Sequence, residues 1–349
     1  MTGGKKNPAI GDNAADLAGS LIRGDRHALA KAITIVESTR SEHRTVAAEL
    51  LNSLGAVSNR SVRVGISGAP GVGKSTFIEA LGNHIVDAGL RVAVLAVDPS
   101  SATSGGSILG DKTRMETLAR RPEAFIRPSP ACNELGGVTR RSRESLLLCE
   151  AAGYDVVLVE TVGVGQSETR VAEMTDMFLL MLLPGSGDEL QGIKRGIMEL
   201  ADLVVVNKAD GKMKELAERS AGDCQRALQF LSSRTRGWSV SVSACSAVEG
   251  TGIPAVWEQI QRHDEFLRSS GQLAARRLEQ ARGWMWSDLK EGLMTRLSED
   301  ESVAGYIQGL EAAITERSLL PPDAADRVLQ TYGAGTAEKT KATKRKKCD

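Results

Sequence analysis

Aromatic side chains make up only 3% of the 349 residues, which leaves few stacking platforms for single-stranded nucleic acid. Neither sign of charge is in excess, since Lys plus Arg and Asp plus Glu each number 44. No broad basic field therefore points to a nucleic-acid partner. The five cysteines, Cys132, Cys149, Cys224, Cys245 and Cys348, form no C-x-x-C pair, and the four histidines at 27, 43, 84 and 263 are scattered. That usage excludes a disulfide frame and a zinc site and fits free thiols in a reducing compartment. No apolar run approaches the roughly 18 residues of a membrane span, and the opening MTGGKKNPAIGDNAADLAG lacks the apolar core of a signal peptide. The expectation is a cytoplasmic protein that engages neither membrane nor nucleic acid.

What is present is a change of period along the chain. Residues 1–14 are rich in Gly, Asn and Lys and are expected to be disordered. Over 15–58, apolar residues recur at helical spacing (Leu17, Leu21, Leu29, Ile33, Val36, Val46, Leu50, Leu54), interrupted at Gly24-Asp25, which predicts two or three helices. From Val62 short apolar runs take over: VRVGISG, RVAVLAVD, DVVLVET, MFLLMLLP, LVVVNKAD and WSVSVSA. Six such runs, separated by helical segments, predict an α/β fold with a doubly wound, mostly parallel sheet over residues 59–260. Residues 261–333 read as helical, with Trp284, Met285, Leu289, Leu293 and Leu297 near one face. That stripe is either a core face or a subunit interface. The segment 334–349, including KATKRKK, is read as a disordered basic tail.

GAPGVGKS, Gly68 to Ser75, matches G-x-x-x-x-G-K-[ST] between a predicted strand and a predicted helix. Gly68, Ala69, Pro70, Gly71, Val72 and Gly73 can curl backbone N–H groups around phosphate, with Thr76 in the first helical turn. Lys74 reaches the β- and γ-phosphates, and Ser75 can ligate Mg²⁺. NKAD, Asn207 to Asp210, closes a later apolar run. Asp210 can accept both N1–H and the 2-amino group of guanine, a donor pair that adenine lacks. Asn207 supports the base edge, and the stem of Lys208 covers the ring. Ser243-Ala244 is the expected backbone donor position for the guanine carbonyl. Carboxylates for the metal shell are Asp98, Asp111 and Glu160, not all of them direct ligands. Gly163 follows Glu160 and can offer its N–H to the γ-phosphate. Position 164, where a Ras-type enzyme orients water with Gln, is Val, and Gln166 is displaced by two residues. Hydrolysis is therefore expected to be slow until something reorders the site. PGSGDELQGIKRG is glycine-rich yet carries Asp188, Glu189, Lys194 and Arg195, which reads as a switch loop.

GAPGVGKST, VLAVDPSSATSGGSILGDKTRM, FIRPSP, ETVGVGQSE, LLPGSGDELQGIKRGIMELAD and NKAD together resemble the MeaB family of P-loop GTPases, with its ArgK and methylmalonic aciduria type A relatives. The resemblance runs from about Leu17 to residue 320. It implies a GTPase converting GTP to GDP, slow alone and activated by a partner. That partner would be an adenosylcobalamin-dependent acyl-CoA mutase, of methylmalonyl-CoA or of a relative such as 2-hydroxyisobutyryl-CoA. The protein would gate cobalamin delivery and protect or reactivate the mutase, touching cobalamin only through it, as a homodimer joined by C-terminal helices. Lys74, Ser75, Asp98, Asp111 and Glu160 fall on the family's phosphate and Mg²⁺ positions, and Asn207, Lys208 and Asp210 on its base site. Residues 188–194 fall on its coupling loop, from which Gln191 or Lys194 would approach the γ-phosphate. The rival readings are a nickel-type metallochaperone GTPase, which the scattered histidines disfavour, and a transport-linked kinase, which NKAD disfavours.

Overall fold

The computed structural model describes residues 14–38, 40–55, 60–97, 115–128, 135–161, 167–185, 195–230 and 233–332. Three helices come first: α1 (Ala14–Ile22), α2 (Arg26–Glu37) and α3 (Ser41–Ser53). The Gly24-Asp25 break works as a cap, because the Asp25 carboxylate accepts from the N–H groups of His27 and Ala28 at 2.8 and 3.2 Å and starts α2.

The sheet then alternates with helices. In chain order these are β1 (Val62–Gly68), α4 (Lys74–Asp87), β2 (Val92–Val97), α5 (Glu116–Ala119), β3 (Ala124–Arg127) and α6 (Leu135–Ala151). They continue with β4 (Val156–Thr161), α7 (Ser167–Met174), β5 (Met177–Leu182), α8 (Arg195–Leu200) and β6 (Leu203–Val206). A 3₁₀ turn (Gly211–Met213), α9 (Lys214–Leu228), β7 (Ser241–Ala244) and α10 (Ile253–Ser269) complete this region. All pairings are parallel, in the order β3-β2-β4-β1-β5-β6-β7. The structure has one strand more than the six apolar runs predict. The extra strand, β3, is only AFIR at the sheet edge, with three apolar residues between Glu123 and Arg127 and no Val-rich run to mark it.

The winding reverses at β1, which lies between β4 and β5, so the carboxyl ends of these strands open the crevice where ligands bind in such sheets. One core packs Phe77, Leu81 and Ile85 of α4 and Val256, Trp257 and Ile260 of α10 against Val64, Ile66, Leu179 and Val205 of the sheet. Helices α6 and α7 pack on the sheet as well, and α2 packs on α6. Glu37 at the end of α2 pairs with Arg127 of β3. Burial raises the Glu37 carboxyl, and the Arg127 partner works against that rise.

At the amino ends of the strands lies a network of buried ions. Arg63 bonds Glu150 of α6 through two nitrogens, at 2.8 and 2.7 Å. Arg277 bonds Asp176 in the same forked way, at 3.0 and 2.6 Å. Asp202 accepts from Phe178 N at 3.0 Å and from the Thr235 hydroxyl. His263 and Arg276 stand 3.5 and 3.8 Å from it. Burial would raise the Asp202 carboxyl, but the His263 hydrogen bond and the charges of His263, Arg234 and Arg276 outweigh it, leaving the group below its ordinary 3.8.

Contacts divide the chain into two compact units, one reaching to Gln280 and one starting at Ala281. The boundary between these units falls inside the long helix α11 (Gln272–Glu299). The second unit continues with α12 (Glu301–Thr315) and α13 (321–332), and Val303, Leu310 and Ala324 are buried. Along α11, Met285, Trp286, Leu289, Leu293 and Met294 are exposed in the single chain. Trp284 and Leu297, expected on the same stripe, are half-buried. The terminal segments expected to be disordered lie outside the described residues, apart from Ala14, which opens α1. Among the described residues no helix is long and apolar enough to cross a membrane.

The depressed Asp202 carboxyl contributes stability that is complete above its ordinary value of 3.8 and is lost as pH falls through the lower folded value. Asp202→Asn should cost about 3–5 kcal/mol near neutral pH, as for other buried ion pairs deprived of one partner. The gap from wild type should narrow as the solution is acidified below about 3.8. Urea unfolding of both proteins at several pH values measures this, and a gap independent of pH would contradict it.

Candidate nucleotide-binding site

The phosphate loop runs from β1 into α4, and its glycines have steric reasons. Gly71 and Gly73 sit at φ +78° and +93°, in the left-handed region that other residues avoid. A Cβ on Gly68 would lie 2.5 Å from the Met181 carbonyl oxygen, and one on Gly73 would lie 2.7 Å from Asn207 Nδ2. Between them Val72 is buried and anchors the loop to the core, while Ala69 and Pro70 stay outside it. Gly73 caps α4 without a side chain, so the amides of the first turn, including those of Ser75 and Thr76, remain available to an anion.

Lys74 donates to the carbonyls of Gly68 and Ala69 at 2.8 and 3.3 Å, so its ammonium bridges the rim of its own loop. Burial lowers the Lys74 ammonium below its ordinary value, and the charges of Glu160 and Glu168 oppose that shift. An incoming phosphate would exchange two neutral carbonyl partners for a charged one, a stronger bond in a half-buried setting. Ser75 Oγ donates to Glu160 Oε1 at 3.3 Å, and Glu160 is buried at the end of β4. A hydroxyl and a carboxylate side by side suit a hard oxygen-seeking cation such as Mg²⁺, which takes few protein ligands when phosphate and water supply the rest. Among the described residues no group of three His, Cys, Asp or Glu side chains could form a metal cage by itself. Below the pair, Thr161 Oγ1 donates to Ser67 Oγ at 2.9 Å and ties β4 to β1 under the loop.

The base end is built around Asn207, which is 2% exposed. Its Nδ2 donates to Val72 O at 2.8 Å, and its Oδ1 accepts from Ala247 N at 3.1 Å. Lys208 next to it holds φ +63°, a left-handed conformation costing a side-chain-bearing residue about 1–2 kcal/mol. That turn aims Asp210, whose Oδ2 accepts from Ser246 Oγ at 2.6 Å. Ser246 Oγ in turn accepts from Glu249 N at 3.1 Å, which fixes the hydroxyl's direction. Ser243 and Ala244, expected at the guanine carbonyl, are the last two residues of β7, in register with Val205 and Val206. The residues that meet Asp210 and Asn207 are Ser246 and Ala247, three positions on. VSACSA contains Ser-Ala twice, and the first copy belongs to the strand. Between the copies, Cys245 lies 3.6 Å from Asn207 Oδ1, and burial pushes its thiol up to about 12.

Lys74, Ser75 and Glu160 are thus brought together, and Asn207 and Asp210 meet through the Ser246-Ala247 turn. Asp98, Asp111, Gly163, Gln166, Asp188, Glu189, Gln191 and Lys194 lie outside the described residues. Arg195 opens α8, and its side chain is likewise outside the description. Glu168, which the sequence reading passed over, is a buried carboxylate in the first turn of α7 whose charge reaches Lys74.

A family model described as Methylmalonyl Co-A mutase-associated GTPase MeaB matches residues 29–302. A Caulobacter vibrioides chain carrying a GTPase designation is 52% identical over 90% of this chain and 96% of its own length. The mouse mitochondrial methylmalonic aciduria type A homolog is 46% identical over 89% of this chain and 78% of its own. Among solved structures, a LAO/AO transport system kinase superposes with TM-score 0.73 at 36% identity, covering 94% of this chain and all of that one.

A hydrogen bond to a charged group is worth about 1.5–3 kcal/mol, or roughly 10- to 150-fold in affinity. Ser246→Ala should weaken GDP binding within that range by loosening Asp210, whereas Ser243→Ala should change it less than about twofold. Titration of fluorescent GDP into both variants decides between the two Ser-Ala pairs. Equal losses would return the base contact to β7.

Proposed function

The chain belongs to the MeaB family of methylmalonyl-CoA mutase-associated GTPases, and from that premise we propose that it is a GTP-driven chaperone of an adenosylcobalamin-dependent acyl-CoA mutase. In this reading it gates cofactor loading and protects or reactivates methylmalonyl-CoA mutase or a close relative such as the 2-hydroxyisobutyryl-CoA enzyme. It works as a cytoplasmic homodimer and meets cobalamin only through the mutase. The observation that carries the reading is the extent of the family match. It covers 29–302, taking in most of the N-terminal helices and all of α11 as well as the phosphate and base motifs. A bare P-loop likeness would support a nucleotide hydrolase and nothing about its client.

In this mechanism the amides at the start of α4 and the Lys74 ammonium hold the phosphates, while Asp210, steadied by Ser246, reads the guanine edge. Ser75 and Glu160 would hold Mg²⁺, which supplies charge neutralisation at the γ-phosphate. Asp98 and Asp111 are proposed to complete its surroundings, and the Gly163 amide to meet the γ-phosphate. With Val164 at the Ras-type glutamine position, the attacking water is poorly held, and intrinsic turnover is slow. The mutase would accelerate it by moving the segment that carries Asp188, Glu189, Lys194 and Arg195, bringing Gln191 or Lys194 to the phosphate. Gln166 is the remaining candidate for orienting water.

The exposed apolar residues of α11 supply the dimer face in this reading, since five large hydrophobic side chains in one helical stretch are costly to leave in water.

Single-turnover GTP hydrolysis should rise at least tenfold when the client mutase is added, and equal rates with and without every candidate mutase would remove the chaperone reading. Light scattering should give a dimer for the wild type and a monomer for the Leu289→Asp, Leu293→Asp double variant. A wild-type monomer at micromolar concentration would refute the dimer.

A further inference from the structure

Helix α7 joins two parts of the molecule that the nucleotide site does not otherwise connect. Its eight residues span about 12 Å. Its first turn carries the buried Glu168, whose charge is felt at Lys74. Its body presses on the strand leading into the phosphate loop. A Cβ on Gly65 would lie 2.6 Å from Val171 and 2.8 Å from Thr175, so α7 sits directly on the β1 backbone three residues before Gly68. Any shift of α7 along its axis is therefore felt by β1.

Its other end is gripped by side chains distant in sequence. Arg234 Nη2 donates to Ala172 O at 2.8 Å, and Gln280 Nε2 donates to Thr175 O at 2.9 Å. Arg276 donates to Asp176 O, and Arg277 takes both Asp176 carboxylate oxygens at 3.0 and 2.6 Å. Arg234 and Gln280 meet the carbonyl end of the helix, where its macrodipole is negative and its last carbonyls lack intrahelical partners, while Arg276 and Arg277 hold Asp176 just beyond it. Three of the four come from the first turns of α11, and Gln280 and Arg277 are each 8% exposed. Gln280 also stands 3.5 Å from Arg63 Nη1 at the base of β1. The root of α11 thus holds both the strand that feeds the phosphate loop and the helix that lies on it.

We propose that Gln280, together with Arg276, is a positioning residue for GTP hydrolysis, with the root of α11 setting the axial seat of α7 and hence the placement of Lys74 and β1 at the phosphates. Whatever turns α11 then changes the hydrolysis rate, and the bound phosphate state is reported back to α11. This needs only the GTPase activity and stands or falls independently of the mutase reading.

Three variants, each studied as the full chain, test it. Gln280→Ala removes one donor to the α7 carbonyl end. Gln280→Glu keeps the shape but sets a negative charge against that end, and Arg276→Lys keeps the charge while losing the fork. Expected is a fall in single-turnover hydrolysis of at least threefold for Gln280→Ala and a larger fall for Gln280→Glu, with GDP affinity within twofold of wild type. Arg276→Lys should lie between wild type and Gln280→Ala, and it carries the same reading if the Gln280 variants do not fold. Amide exchange over residues 272–280 should also differ between the GDP-bound and non-hydrolysable-GTP-bound wild type, and that difference should shrink in the variants. Unchanged hydrolysis overturns the proposal. So does a loss of hydrolysis that merely parallels lost GDP affinity and melting temperature, or α11 exchange that ignores the nucleotide.

Discussion

One buried amide holds the two halves of the nucleotide pocket in register. Asn207 sits at the end of β6, and its side chain spends both functional ends on the protein: Nδ2 on the Val72 carbonyl of the phosphate loop, Oδ1 on the Ala247 amide of the base loop. These loops belong to different strands and lie 135 and 40 residues away in sequence. Without that bridge, phosphate and base recognition would be two weak sites at a variable spacing. With it, the Val72 and Ala247 loops keep one spacing, and the left-handed Lys208 turn holds Asp210 beside them. Gly73 has no alternative, because a Cβ there would strike the bridging amide.

The opposite end of the sheet follows a different logic. Arg63, Glu150, Asp176 and Arg277 are buried together, each arginine forked onto one of the two carboxylates, with Ser61 and Gln280 bonded at their edge. Such a network contributes little net stability over an apolar packing of the same volume, yet it tolerates only one arrangement of its members. Its geometric effect is to set α6 and the first turns of α11 at defined places on the strand ends. Rigidity at this end lets a small rearrangement at the phosphate end travel as a displacement instead of dissipating in a soft core.

Much of this was legible in the sequence, for local reasons. The phosphate loop and NKAD are contiguous, each follows a Val-rich run, and their residue types answer directly to phosphate and guanine chemistry. The six other strands announced themselves by apolar runs with flanking Gly or Asp. The edge strand β3 did not, because AFIR has only three apolar residues between Glu123 and Arg127 and no flanking Gly or Asp. VSACSA offers two Ser-Ala pairs to the base, and only the sheet register shows that the first lies in β7 while the second bonds Asp210 and Asn207. The grip of Gln280 on Thr175 was beyond reach, since the partners are 105 residues apart and a glutamine in a helix carries no sign of what it will meet. The Trp/Met/Leu stripe of α11 left core and interface open, and exposure in the single chain moves it toward interface.

The central claim, that Asn207 locks the phosphate and base subsites together, is tested most directly by calorimetry of wild type and Asn207→Ala with GDP and with inorganic pyrophosphate. The lock predicts that both ligands weaken, pyrophosphate by about two- to twelvefold, because losing the Val72 bond (about 0.5–1.5 kcal/mol) slackens the phosphate loop even when no base is present. A variant that loses GDP affinity but binds pyrophosphate as tightly as wild type would show Asn207 to be a base contact only, and would contradict the account.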